Sequence, residues 1–327
     1  MGEQPERPAD RVIHRKPTLV ALAIFVTLVA LTVYGPDFGV EWGGIAMLLG
    51  IPFALGMLVG QAIDRDQTMG CFVWPTLSVI ALLFVAYLIF GEGVICIAMV
   101  MPIWIAAAVG GAVASIWTYR RKVEGNDQED SHRISLAAWT VLPVFLVAAE
   151  TTLRPAWSEH EVIREVTVRA RPADVWPHLV EIRNVGSGEG RWTFSHDVLG
   201  IPRPVDAQVV HLNGTAVRKA QWGEGIRFEE RIVYERPGTA MRWRFVFPDT
   251  SLQDHTDRHI APDGESLRIL SGGYELQPLP GGQTRIRLIT RYAMKTRLPD
   301  YMAWWGERLL GDVQNNVLQV IADRVGS

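Results

Sequence analysis

The chain has 327 residues, a net charge of −3 and a hydrophobic content of 48%. A chain of this length has room for two domains. Residues 154–327 hold 23 Lys and Arg against 22 Asp and Glu, without a visible basic stripe. This balance argues against nucleic-acid binding. The only cysteines are Cys71 and Cys96, which excludes a disulfide framework.

The first 153 residues contain five long apolar stretches, and the rest of the chain contains none of comparable length. The stretches are 17–34, 42–63, 71–90, 94–117 and 134–153. Each comes close to the ~20 apolar residues that a helix needs to cross a hydrocarbon core about 30 Å thick. None has an ionisable residue in its middle, which disfavours a transport pathway through them. We therefore predict a transmembrane helical domain of about five spans over 1–153 and a second domain over 154–327.

Lys and Arg mark which loops face the cytoplasm. They occur before the first stretch (Arg11, Arg15 and Lys16), and Arg120 and Arg121 follow the fourth stretch. Cytoplasmic loops carry such an excess of positive charge. With five spans in a bacterial inner membrane, this pattern predicts a cytoplasmic N-terminus and a C-terminal domain on the non-cytoplasmic side.

Small residues at a spacing of four predict close helix packing within the membrane domain. They occur as Gly56 with Gly60, and as Ala106 with Gly110 and Ala114. Such spacing lets two helix backbones approach each other. We expect a packed anchor bundle.

Residues 154–327 read as one strand, a short helix, a run of strands and a long helix. The predicted strands are 161–170, 205–212, 215–222, 226–235, 240–248, 265–277 and 284–295, and the predicted helices run from Pro172 to about 183 and over about 299–325. Asn213-Gly214 and Pro280-Gly281-Gly282 indicate tight turns between strands. This order is typical of the α+β helix-grip fold, in which a curved antiparallel sheet surrounds a long C-terminal helix. Apolar ligands can occupy a cavity between the two.

Several segments resemble a known superfamily. Val168–Trp176 resembles the opening of START-like (SRPBCC) domains, the superfamily of polyketide cyclase/dehydrase and lipid-transport proteins. Leu199–Arg218, Leu276–Arg285 and Pro299–Trp305 resemble a bacterial membrane-linked subgroup of it. The resemblance covers about residues 160–325, and it implies a ligand-binding cavity rather than a known reaction.

The inward face of the sheet follows from the alternation of side chains along each strand. The predicted lining of the ligand cavity is Phe228, Glu230, Ile232, Tyr234, Trp243, Phe245, Phe247, Leu288, Thr290, Tyr292, Trp305 and Leu309. Glu230 is a carboxylate on an otherwise apolar face, where desolvation would suit it to general acid or base chemistry. A one-residue bulge would instead exchange it with Glu229.

A polar segment between two predicted strands offers a second candidate. His255, Asp257 and His259 are metal-ligand types, but a loop does not bring residues four apart to a common face. The alternative is a polar surface loop over the cavity opening. The resembled subgroup tends to place histidines in its last helix, whereas Gly311–Asn316 contains none here. We predict no cofactor.

The function predicted from these features is a membrane-anchored START-like domain that binds a hydrophobic small molecule, such as a lipid or an isoprenoid-like compound. One alternative is a cyclase- or hydrolase-type enzyme that uses Glu230 or a site at His255 and His259. The other alternative is a sensory or interaction module.

Overall fold

The structure is a computed structural model that describes residue 44 and residues 46–62, 69–91, 93–124, 155–212, 214–256 and 261–326. The chain divides into two compact units. The boundary predicted at residue 153 lies outside the described residues and stays a prediction.

Three helices make up the described part of the N-terminal region. They are α1 (Ile51–Ala62), α2 (Gly70–Val85) and α3 (Val94–Glu124). π-Helical turns extend two of them, because Ala46–Gly50 precedes α1 and Ala86–Phe90 follows α2.

Two of the predicted spans are helices of sufficient length and hydropathy to cross a membrane. They are Gly70–Ile89 and Val94–Trp117, and only 17% of the residues in each are buried. A shorter apolar helix, Leu48–Gly60, falls within the predicted span 42–63. Spans 17–34 and 134–153 lie outside the described residues. The structure therefore supports two of about five predicted spans.

The small residues of α1 and α3 bring these helices into backbone contact. A Cβ atom on Gly56 would collide with the Ala108 backbone, and one on Gly60 would lie 2.9 Å from the Ala112 Cα. The prediction for α1 is therefore confirmed. Among the described residues, a Cβ on Gly110 would meet no atom within 4 Å, so the packing predicted for Ala106, Gly110 and Ala114 stays a prediction. Because α3 carries small residues on more than one face, their spacing alone does not indicate which face packs.

Seven antiparallel strands form one sheet in the C-terminal region. They are β1 (Ala156–Val168), β2 (Pro204–Leu212), β3 (Thr215–Trp222), β4 (Arg227–Arg236), β5 (Ala240–Val246), β6 (Leu267–Leu279) and β7 (Gln283–Thr296), in the spatial order β1-β7-β6-β5-β4-β3-β2. Every predicted strand is present.

Four helices accompany the sheet. They are α4 (Pro172–Val180), α5 (Phe194–Asp197), α6 (Ser251–Thr256) and α7 (Pro299–Gly326). The two predicted helices, α4 and α7, are present, whereas the short helices α5 and α6 were not predicted.

Both predicted turns join neighbouring strands. Leu212 pairs with Thr215 across the first turn, where Gly214 has a φ of +79°. Across the second, Leu279 pairs with Gln283, and Gly281 has a φ of +77°. Because a side chain disfavours positive φ, glycine at these points fixes the hairpin registers.

The main core lies between the sheet, α4 and α7. Its fully buried members include Leu179 of α4, Met241, Tyr274 and Ile286 of the sheet, and Ile321 of α7. Full burial of a large apolar side chain contributes about 1.5–3 kcal/mol. A curved antiparallel sheet packed on a long C-terminal helix confirms the predicted helix-grip architecture.

The buried face of α7 differs from a simple four-residue repeat. Trp305 and Ile321 are buried, whereas Leu309 is only half-buried, and the polar Gln314 is 2% exposed. Steps of four residues advance about 40° beyond each full turn. Residues spaced four apart therefore rotate gradually around the helix, and some of them lie off the buried face.

Candidate functional site

Most of the residues predicted to line a cavity lie on the inner side of the sheet or on α7. The buried ones are Phe228, Glu230, Trp243, Leu288, Thr290, Tyr292 and Trp305, and the half-buried ones are Ile232, Phe245, Phe247 and Leu309. That these residues line a ligand cavity stays a prediction.

Tyr234 is the exception, and its predicted position is wrong. A bulge interrupts the pairing of β4 with β5 between Ile232 and Tyr234. A shift of one residue turns the following side chains to the opposite face. Tyr234 therefore pairs with Arg242, lies 47% exposed, and has the Arg242 guanidinium 5.9 Å from its ring centroid.

Glu230 does face inward, but it is not an isolated carboxylate. Arg218 of β3 lies directly opposite it, and the Arg218 Nε donates a hydrogen bond to the Glu230 carboxylate. Arg218 Nη1 also donates to the Leu179 carbonyl at 2.6 Å. Both charged side chains are buried, at 6% and 7% exposure. Glu230 is therefore not the lone carboxylate from which the acid–base role was predicted, and that role stays a prediction.

The aromatic rings around Arg218 hold the ion pair in place. Its guanidinium carbon lies 5.0 Å from the Trp243 ring centroid and 5.6 Å from that of Tyr274. Burial by itself would lower the pKa of Arg218, but the charge and hydrogen bond of Glu230 together with those of Tyr274 outweigh it, and the pKa is raised above its ordinary value. Burial also raises the pKa of the Tyr274 phenol. Arg218 therefore remains a buried cation that is hydrogen-bonded to Glu230.

A continuous row of aromatic side chains extends from this pair across four strands. Ring centroids are separated by 5.3 Å from Tyr274 to Trp243, by 6.2 Å from Trp243 to Phe245, by 5.9 Å from Phe245 to Phe228, and by 5.6 Å from Phe228 to Trp222. Rings at these separations adopt the offset and edge-on geometries that aromatic pairs favour, and Tyr274, Trp243 and Phe228 are buried.

Three buried polar atoms on the sheet and on α7 have no hydrogen-bond partner within the part of the chain that the structure describes. They are Trp243 Nε1, Trp305 Nε1 and Gln314 Oε1. The amide nitrogen of Gln314 is satisfied, because it donates to the Val162 carbonyl at 3.1 Å and to Thr290 Oγ1 at 2.8 Å. An unsatisfied buried polar group costs about 1–3 kcal/mol. Two N–H donors and one carbonyl acceptor therefore need a polar partner, from a ligand or from ordered water, that the described residues do not supply.

The candidate metal residues are only partly described. His255 lies on α6, where its Nδ1 is 2.9 Å from the Ser251 carbonyl oxygen. Asp257 and His259 lie outside the described residues. Among the side chains that the structure does describe, no group of three metal-ligating residues occurs. The metal site stays a prediction.

The polar residues of α7 that stand in place of histidines bind the segment around α5. Asp312 accepts hydrogen bonds from the Ser195 backbone and hydroxyl, each at 3.0 Å. Asn316 accepts from Arg203 Nη1 at 2.6 Å and from the Arg191 backbone at 3.0 Å. The partners are more than a hundred residues apart in sequence, so local patterns gave no indication of this role.

Arg218 is the site residue that sequence reasoning missed. The turn Gly223–Gly225 joins β3 to β4, and Arg218 and Glu230 lie six residues on either side of its central residue, Glu224. Residues equidistant from a hairpin turn face each other. The turn position was therefore the signal that could have revealed the pair.

Comparison with known proteins finds similarity in structure only. No family model and no curated protein sequence matches the chain. The Zhui aromatase/cyclase from Streptomyces sp. R1128 is 15% identical over 52% of this chain and 94% of its own, with a TM-score of 0.35. Norcoclaurine synthase from Thalictrum flavum is 12% identical over 52% and 88%, with a TM-score of 0.33.

A third similar structure, Ara h 8.0201, is 16% identical over 51% of this chain and 98% of its own, with a TM-score of 0.32. All three TM-scores are below 0.5. The helix-grip assignment therefore rests on the strand order and on the packing of α7, and the predicted membrane-linked subgroup stays a prediction.

Proposed function

We propose that the C-terminal region binds an apolar small molecule between the inner face of the sheet and α7. The observation that carries this proposal is the set of unpartnered buried atoms, Trp243 Nε1, Trp305 Nε1 and Gln314 Oε1. A buried water typically makes about three hydrogen bonds. No described residue accepts a hydrogen bond from Trp243 Nε1, and a ligand oxygen would satisfy this indole N–H.

The aromatic row and the ion pair indicate how the ligand would be oriented in the site. The apolar body would lie on the rings from Trp222 to Tyr274, since ligand sites are mostly apolar with a few placed polar groups. The Arg218–Glu230 dipole adds a fixed field beneath Trp243. Because Arg218 and Glu230 bind each other, the pair would orient the ligand through its charges.

We also propose that the apolar helices anchor this domain in a bacterial inner membrane, where a lipid or isoprenoid-like ligand would concentrate. The exposed apolar surfaces of Gly70–Ile89 and Val94–Trp117 support this proposal. The predicted location of the domain on the non-cytoplasmic side is tested with reporter fusions after Arg154. Alkaline phosphatase activity is expected there, whereas fluorescence of a cytoplasm-dependent reporter would contradict the predicted location.

Native mass spectrometry of the full chain, released from nanodiscs, tests ligand binding. We expect an apolar molecule to remain bound, and Trp305→Phe to reduce its occupancy because the buried indole N–H is lost. The neighbouring Trp304 provides a matched control, since it is 51% exposed and its ring faces Arg308 instead. A wild-type protein that carries no ligand would contradict the proposal.

A further inference from the structure

His196 presents a hydrogen-bond acceptor that no described residue uses. It lies on α5 and is 7% exposed. Its Nδ1 is 2.7 Å from the Ile201 carbonyl oxygen, which can only accept, so Nδ1 carries the proton. In the neutral ring Nε2 therefore has a free lone pair. Nε2 is buried and has no partner among the residues that the structure describes.

This imidazole stands beside the end of the aromatic row. Its ring centroid is 6.5 Å from that of Trp222, and Trp222 contacts Phe228 edge-on. The two ring nitrogens point in different directions, so Nε2 is directed away from the Ile201 carbonyl. The ion pair beside Trp243 and His196 thus lie toward opposite ends of the same row.

The charged groups near His196 already have hydrogen-bond partners. Asp197 accepts two hydrogen bonds from Arg203, at 2.8 and 2.9 Å. Asp312, from α7, accepts from Ser195. Burial lowers the pKa of His196 below its ordinary value, and Arg203 adds to this effect. The hydrogen bond to the Ile201 carbonyl and the charges of Asp197 and Asp312 oppose it. The imidazole is therefore neutral at neutral pH. Because Nε2 is buried, an uncharged hydrogen-bond donor suits it better than a cationic donor.

We propose that His196 Nε2 accepts a hydrogen bond from a neutral hydroxyl of the ligand, so that the site selects an apolar molecule with a hydroxyl at one end. This inference rests on the proposed function, because it concerns one end of the same binding region. It assigns His196 a role in specificity, and the hydroxyl would be bound only while the imidazole is unprotonated.

A pair of aromatic probes tests the role of His196. The full chain in nanodiscs is titrated with 2-naphthol and with 2-methoxynaphthalene, whose hydroxyl is blocked, and empty nanodiscs serve as the blank. One net hydrogen bond corresponds to about a five- to tenfold difference in affinity. We expect 2-naphthol to bind more tightly by this factor at neutral pH, and the difference to disappear as the pH falls through the pKa of His196.

Two substitutions separate the acceptor from the structural hydrogen bond. His196→Asn keeps an N–H donor near the Ile201 carbonyl and removes the acceptor at Nε2, so it is expected to bind both probes equally. His196→Gln can place an amide oxygen near the Nε2 position and is expected to retain part of the preference. If a variant fails to fold, the pH titration of the wild type still tests whether His196 accepts the hydrogen bond.

The outcomes distinguish the two proposals. Equal binding of both probes to the wild type at every pH would overturn the role of His196 and leave the proposed binding function intact. If neither probe binds to the wild type, both proposals are contradicted. A preference for 2-naphthol that is unchanged in His196→Asn would also overturn the role of His196.

Discussion

The inner and outer faces of the sheet both carry arginine–carboxylate pairs, and these pairs differ in their access to solvent. On the inner face, Arg218 and Glu230 are 6% and 7% exposed. On the outer face, Arg242 and Glu275 are 62% and 32% exposed, 3.4 Å apart. Exposed pairs contribute about 0–1 kcal/mol, whereas a buried pair can cost more to desolvate than it returns. A buried pair is therefore weak evidence of added stability, and we propose that its charges serve the ligand site proposed above.

Removing one partner of the inner pair should have the largest effect on stability. We expect Glu230→Leu to destabilise the protein by about 3–5 kcal/mol, because the Arg218 charge is then left buried without a counter-ion. The measurement is the free energy of urea unfolding of the full chain in detergent.

The control is the double variant Arg218→Met/Glu230→Leu, which removes both charges. Replacement of a buried pair by apolar residues is often neutral or stabilising. Most of the lost stability should therefore return. A single variant as stable as the wild type would contradict the proposed burial of the pair.

A partly exposed pair should give an intermediate effect that depends on pH. Arg324 of α7 holds Glu189 at 2.7 Å, with the two side chains 24% and 31% exposed. Hydrogen bonds from Arg324 and from the Gly186 backbone lower the pKa of Glu189 from 4.5 to about 2. The depressed pKa stabilises the folded state above pH 4.5, and this contribution is lost as the pH falls toward 2.

We expect Glu189→Gln to cost about 1 kcal/mol at pH 7, because solvent screens the pair, and to cost almost nothing near pH 2. The measurement is the unfolding free energy of wild type and variant at both pH values. An equal loss at both pH values would show that the charge of Glu189 contributes nothing.

The smallest effect is expected on the outer face. Glu275 contacts both Arg242 and Arg287, the latter at 3.0 Å. Glu275→Gln should lower the unfolding free energy by less than about 1 kcal/mol, and added salt should reduce the difference further. A loss comparable to that of Glu230→Leu would refute the contrast between the two faces.

The sequence predicted the sheet because each strand alternates and each tight turn has its glycine. Alternation placed Trp243 and Glu230 on the inner face correctly. It failed at Tyr234, since a bulge leaves no mark in a strand pattern. The short helices α5 and α6 were missed because four to six residues are too few for helical periodicity.

Only part of the candidate site could be predicted from the sequence. Glu230 was found as an unusual carboxylate, but its partner Arg218 depends on the register of a hairpin. His196 was missed, because its burial follows from contacts between α5 and distant residues of α7. The unpartnered atoms of Trp305 and Gln314 likewise depend on three-dimensional packing, which sequence periodicity does not describe.

Fluorine NMR of the full chain labelled with 5-fluorotryptophan tests the binding proposal most directly. Resonances of Trp243 and Trp305 are assigned with Trp→Phe variants, and 2-naphthol is then added in nanodiscs. The account predicts saturable shifts at these two buried indoles and little change at the exposed Trp304. Shifts at Trp304 alone, or equal shifts at all three, would contradict a ligand site between the sheet and α7.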